Sequence, residues 1–183
     1  MSVRRDAEYA EYVAYVEARL TWLRRVAFLL CQDEHVADDL VQVTVTKLFA
    51  YWPRARRADS LDAYVRTIMV RAFLRERGSG WGRRVVLSGV LPDTAVHSAD
   101  RDAALDVRDA LLAVPPRQRA TLVLRFYCDL DVEQAAVALG CSAGTVKSQT
   151  SKGLANMRRL LEPSGVGRAA GVRGDGSPRW EGL

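Results

Sequence analysis

At 183 residues and 49% hydrophobic content, the chain can form one ordinary domain or two small ones, with no shortage of core-forming residues. Three irregularly spaced cysteines (Cys31, Cys128 and Cys141) argue against a disulfide framework and fit a reducing compartment. The net charge of +5 points to an acidic partner. Helical spacing begins over about residues 7–31, where Tyr12, Val16, Leu20, Leu23, Ala27 and Leu30 share a stripe. The apolar run 26–31 follows Arg24 and Arg25 and is too short to cross a bilayer, so a cytoplasmic protein without membrane insertion is expected. Asp33 is the expected N-cap of a second helix, with Val36, Leu40, Val41, Thr44, Leu48 and Trp52 inward and Pro53 as its stop. Ser60 then caps a third helix with the stripe Leu61, Tyr64, Val65, Ile68, Ala72 and Phe73, which assigns Tyr64 to the core.

Gly78-Ser79-Gly80-Trp81-Gly82 breaks this pattern, and strong periodicity returns only near Asp100. The expected organisation is a first domain over 1–77, a linker over 78–100, a second domain over 101–162 and a disordered tail over 163–183. Residues 100–114 are expected as a helix ended by Pro115-Pro116, followed by another over 117–128. No segment reads as a strand pair. The fold class is therefore all-α, two small helical domains on a flexible linker.

Charge is distributed in blocks. Residues 54–84 hold nine arginines against three acids, residues 142–161 hold four basic residues and no acid, and residues 93–113 carry a balance of −3. Two basic blocks separated by an acidic one suit a protein that touches a polyanion in two places. Residues 131–161 read as a helix-turn-helix. A short helix contains Ala135 and Ala136, Gly140-Cys141-Ser142 makes the turn, and a second helix turns Val146, Thr150 and Leu154 inward. That phase places Thr145, Lys147, Ser148, Ser151 and Lys152 outward, where lysines meet phosphates and hydroxyls meet bases or backbone. Arg158 and Arg159, further along, suit phosphate.

Cys31 and His35 are four residues apart, but the only other histidine is His97; no metal site and no cofactor are expected. No Ser-His-Asp, metal or phosphate-loop constellation marks an enzyme.

Several motifs occur together in one order. Ala37-Asp38-Asp39-Leu40-Val41-Gln42 with Lys47-Leu48-Phe49, then Leu61-Asp62-Ala63-Tyr64-Val65-Arg66-Thr67-Ile68, come first. Pro115-Pro116-Arg117-Gln118-Arg119 with Leu124-Arg125-Phe126-Tyr127, and finally Gly144-Thr145-Val146-Lys147-Ser148, follow. Across about residues 8–161 this order resembles the extracytoplasmic-function (ECF) sigma factors of bacterial RNA polymerase, and among them an actinobacterial SigE-like subgroup.

The resemblance implies a non-enzymatic factor that gives core RNA polymerase its promoter specificity. It assigns core docking to Asp38, Asp39, Leu40, Gln42 and Val43. Capture of the minus-10 strand falls to Arg54, Arg56, Arg57, Arg66, Arg71 and Arg75, with a base pocket expected between Trp52 and Ser60. Reading of the minus-35 duplex falls to Thr145, Lys147, Ser148, Gln149, Ser151 and Lys152. Promoter DNA, core polymerase and, as is usual for the class, an anti-sigma factor are the implied partners. The chain departs from the common pattern where many relatives carry Asn and Asp at the places of Arg71 and Arg75, and Arg at that of Gln149. An autonomous helix-turn-helix regulator is the rival expectation, and would need a dimerisation or sensor surface in the N-terminal half.

Overall fold

The computed structural model describes residues 2–78 and 107–162, with side chains placed over 5–76 and 107–162. Every regular element in these residues is helical, and no strand occurs among them. The expected linker lies outside the described residues except for Gly78, and so does the tail 163–183.

The N-terminal unit is built on α1 (Ser2–Cys31), α2 (Glu34–Ala50), the single turn α3 (Trp52–Ala55) and α4 (Leu61–Gly78). The long first helix ends where Gln32 adopts a left-handed φ of 59°, a conformation costly for most side chains. Gln32 answers two orphan carbonyls of the last turn, its backbone N–H donating to Phe28 at 2.7 Å and its side chain to Leu29 at 3.2 Å. Asp33 then accepts from the Val36 N–H at 3.0 Å and starts α2 as its N-cap. Ser60 caps α4 in the same way, accepting from the Ala63 N–H at 3.2 Å.

Pro53 does not simply stop α2. That helix ends at Ala50, and the proline sits in the first turn of α3, where the missing N–H costs nothing. Trp52, 3% exposed, is thereby driven under Tyr12, with the ring centroids 5.4 Å apart in an edge-on contact. Leu23, Val26, Leu30, Leu40, Leu48, Val65, Met69, Val70 and Phe73 complete the core of this unit.

The C-terminal unit opens with α5, helical over 107–113, and continues with α6 (Pro116–Leu122), α7 (Val132–Leu139) and α8 (Ala143–Leu161). The expected helix 117–128 does not stay α-helical. After α6 the chain widens into a π-helical turn over Val123–Tyr127, closed by Cys128 N–H donating to the Val123 carbonyl. Asp131 caps α7 through a reciprocal pair. Its carboxylate accepts from the Gln134 N–H at 2.7 Å, while the Gln134 amide oxygen accepts from the Asp131 N–H at 3.1 Å. Gly140 leaves α7 at φ 66°, a left-handed cap that a side chain would strain.

Helices α6 and α8 cross at Gly153. A Cβ there would lie 3.1 Å from Leu122 Cγ and Cδ1, closer than ordinary packing allows. Gly153→Val is therefore expected to overpack this crossing and cost about 1–3 kcal/mol, read as a lower denaturant midpoint at unchanged slope.

The two units are in contact. Helix α4 packs on α7, and α1 packs on α6 and the π-helical turn. Arg119, 3% exposed, crosses the junction: its guanidinium donates to the carbonyls of Leu30 at 2.8 Å, Leu112 at 2.5 Å and Val114 at 3.2 Å. Arg108 lies over the Phe28 ring at 4.5 Å, a second contact between the units.

Candidate nucleic-acid interface

The helix-turn-helix is pinned at its start, its turn and its crossing. Ser142 accepts from the Thr145 N–H at 3.2 Å and fixes the N-terminus of α8. Asn156 donates to the Gln118 side chain at 2.7 Å and accepts from Arg159 at 2.9 Å, which sets the rotation of α8 on α6. Val146, fully buried, and Met157 face inward, leaving Lys147, Ser148, Ser151 and Lys152 exposed on one outer face. Thr145 and Gln149 are half-buried at its edge, and the Thr145 hydroxyl lies 2.9 Å from that of Ser142. No acid occurs between Ser142 and Leu161, so the outer face of α8 is positive throughout. Such a face attracts phosphate and presents short hydroxyl groups to base edges.

The second basic surface surrounds α3. A cavity of about 480 Å3 is lined by Pro53, Arg54, Arg57, Ala58 and Tyr64. It lies in the connection where a base pocket was expected. Tyr64 was assigned to the core from its stripe position, but it is half-buried and forms part of this wall. An apolar floor with one aromatic ring and two guanidinium groups can hold a base by stacking and its backbone by charge. The side chains of Arg54 and Arg57 make no hydrogen bond or ion pair among the described residues, although their backbones bond within the turn.

The other arginines of that block go elsewhere. Arg56 turns back to α1, pairing with Glu8 at 3.0 Å and Glu11 at 2.6 Å. Arg66 is half-buried, its guanidinium 5.9 Å from the Trp22 ring centroid. Arg71 reaches the C-terminal unit, donating to the carbonyls of Val137 at 3.0 Å and Ala138 at 3.3 Å. Arg75 is exposed and close enough to Lys47 to matter electrostatically: burial first, and this like charge second, hold the Lys47 ammonium below its ordinary range. The sequence-level group of six therefore splits, with two arginines at the cavity, one on each of three other surfaces, and one under an indole.

Asp38, Asp39 and Gln42 are exposed on α2, with Val43 half-buried beside them and Asp38 paired to Arg24 at 3.4 Å. Leu40, grouped with them from the sequence, is only 1% exposed and packs into the core, so it supports this face from beneath. Sequence reasoning missed the aromatic cluster at the far end of the same helix. Tyr9 and Phe49, both more than half exposed, meet edge-on at 6.0 Å, and Tyr12 joins them. Phe49 belongs to the Lys47-Leu48-Phe49 motif, but its pairing across α1 depends on helix packing that spacing alone does not give.

Near the base of α4, Asp62 ties the unit together. It accepts from Arg19 at 3.1 and 2.9 Å and from the Tyr15 hydroxyl at 2.7 Å. Burial and the adjacent carboxylate push the Tyr15 phenol well above its ordinary range. Cys128 is pushed up to about 11, with burial the main cause and Arg66 opposing it. A thiol ionising at about 9 when unfolded and about 11 when folded leaves stability intact below pH 9 and erodes it between these values. Unfolding midpoints should therefore fall from pH 9 to 11 in the wild type and fall less in Cys128→Ala, where the raised Tyr15 phenol still erodes stability above about pH 10.

Among the described residues there is no cluster of three metal-ligating side chains, and no helix is long and apolar enough to cross a membrane. Cys31, half of the pair considered with His35, is buried in the core.

Comparison with known proteins gives the family. Residues 15–82 match Sigma-70 region 2, and residues 104–157 match Sigma-70, region 4. The chain is 34% identical over 163 residues to the RNA polymerase sigma-E factor of Streptomyces avermitilis, spanning 85% of this chain and 87% of that one. It is 30% identical over 169 residues to the ECF RNA polymerase sigma factor SigL of Mycobacterium tuberculosis, spanning 88% and 95%. Among solved structures it is similar to the sigma factor RpoE of Bartonella quintana in complex with the anti-sigma factor NepR. That likeness has a TM-score of 0.65 at 28% identity, over 84% of this chain and 98% of that one. With both sigma-70 regions on one polypeptide, and relatives of this identity over nearly its whole length, the chain belongs to the sigma-70 family as an ECF sigma factor of the SigE type, acting with RNA polymerase in promoter recognition and transcription initiation.

Proposed function

We propose that this factor divides promoter recognition between its two units. The outer face of α8 reads minus-35 duplex, with Lys147 and Lys152 on phosphates and Ser148, Ser151, Thr145 and Gln149 nearer the base edges. The cavity walled by Arg54, Arg57 and Tyr64 takes a base of the melted minus-10 strand, and Arg75 with Lys47 extends the positive track for its backbone. Arg56 contributes to this unit by holding α3 against α1 rather than by touching DNA. The Asp38–Asp39–Gln42 face of α2, with Val43, docks on a basic helical surface of core polymerase, where charge complementarity favours encounter and register. Polymerase makes the bonds and this chain selects the place, so its site of action is the cytoplasm.

The carrying observation is the pairing, on one chain, of an acid-free helix-turn-helix face with a separate arginine-walled pocket in another helical unit. An autonomous regulator has no use for that second site. Run-off transcription with purified core polymerase, this chain and genomic fragments tests the reading. Specific transcripts that depend on the chain are expected. Core that neither binds the chain nor initiates specifically would end it.

A further inference from the structure

One face of α1 grips the connection that carries the cavity. Glu8, Glu11, Tyr12, Tyr15 and Arg19 recur along it at helical spacing. Glu8 and Glu11 hold Arg56, just past α3, at 3.0 and 2.6 Å. Further along α1, Tyr15 and Arg19 hold Asp62, in the first turn of α4, at 2.7 and 2.9 Å. Trp52 lies under the Tyr12 and Tyr15 rings, with centroids 5.4 and 6.0 Å away. The two grips serve different walls of the cavity. Arg56 stands between Arg54 and Arg57, which line the wall supplied by α3 and its turn while Arg56 meets α1. Tyr64, two residues after Asp62, lines the wall supplied by α4.

We infer that this face of α1 is a positioning element for base capture: it holds both walls of the Arg54–Arg57–Tyr64 cavity at a fixed separation without touching DNA. This rests on the reading of that cavity as the minus-10 base pocket. The charged side chains of the two grips are 27–48% exposed, and pairs so placed add little to stability. The core around Leu23, Leu48, Val65 and Phe73 closes the unit without them. Their consequence is therefore placement. A pocket whose walls are already ordered spends none of the strand's binding energy on ordering them. Stacking and dispersion also fall away within a fraction of an ångström, so a wall that drifts loses the base. The grip on Arg56 has a further effect: it takes that cation out of the pocket and leaves Arg54 and Arg57 to meet the strand.

Holoenzyme binding to fork-junction DNA tests this. The minus-10 strand is taken from a promoter found by run-off transcription and made either intact or with an abasic site at one position at a time. In the wild type, one position is expected at which the abasic site clearly weakens binding. Glu8→Gln combined with Glu11→Gln, and separately Asp62→Asn, should weaken binding of the intact strand about three- to tenfold, the worth of one or two partly exposed pairs. The strand abasic at that position should bind these variants as it binds the wild type. Arg56→Lys, which keeps the charge but not the two-pronged reach, should fall between. Tyr15→Phe removes one hydrogen bond, keeps the ring, and replaces Asp62→Asn in the test if that variant fails to fold. Affinity for core polymerase and the melting temperature of the free chain are expected at wild-type values. Variants that weaken intact and abasic strands alike, or weaken neither, overturn the positioning role while the pocket stands. A wild type indifferent to an abasic site at every position removes the pocket itself, and the positioning role with it.

Discussion

Reversing two charges on α8, with Lys147→Glu and Lys152→Glu together, is expected to cut specific run-off transcription by about a hundredfold or more. Both side chains are exposed on a face without acids, so the substitutions disturb neither a core contact nor an ion pair within the protein. Each reversal removes an attraction to phosphate and adds a repulsion, and the pair loses on the order of 3 kcal/mol of binding. The loss should shrink as salt rises, because the lost interaction is screened. Binding to core polymerase and the helical circular dichroism signal should remain at wild-type values. A variant that still initiates at wild-type level from the same promoter would remove α8 from promoter recognition.

The largest effect on stability is expected at Arg119. Replacing it with leucine keeps a similar stem but leaves the carbonyls of Leu30, Leu112 and Val114 without their donor in a buried place. An unanswered buried carbonyl costs about 1–3 kcal/mol, so the variant should lose about 3–5 kcal/mol after partial relaxation, and on the order of 10 °C in Tm. Because one of these bonds crosses between the units, the melting transition should also broaden as they uncouple. A wild-type melting curve would show that the apolar contacts alone hold the junction.

Local chemistry made much of this fold readable in advance. Asp33, Ser60 and Ser142 precede apolar-periodic runs and act as N-caps in the structure, because each supplies an oxygen where a helix start leaves N–H groups unanswered. Gly140 was equally legible as the end of α7. The Asp131–Gln134 capping box also has a signal in the sequence, an acid followed three residues later by a glutamine. The π-helical turn had none: nothing in Val123-Leu124-Arg125-Phe126-Tyr127 distinguishes it from an α-helix, and tertiary packing sets it.

The site was legible as chemistry but not as direction. Nine arginines in one block announce a polyanion, yet which way each guanidinium points depends on neighbours far along the chain. Arg56 is claimed by Glu8 and Glu11, 48 and 45 positions earlier, and Arg71 by carbonyls 66 and 67 positions later. Periodicity assigned Tyr64 to the core because it records a stripe. The edge of that stripe is where α3 opens the cavity.

The widened turn after α6 absorbs one residue more than a regular helix would hold there. A π-helical turn carries one residue more than an α-helical turn, and one residue on an α-helix is about 100° of rotation. Shortening Val123–Tyr127 by a single residue would let α6 run on as a regular helix. Because the extra residue is taken up within one turn, removing it together with the bulge leaves the sweep of the chain nearly unchanged, and the α7–α8 pair keeps its present heading. The surplus residue is thus absorbed where it stands, and the reading head is insulated from it.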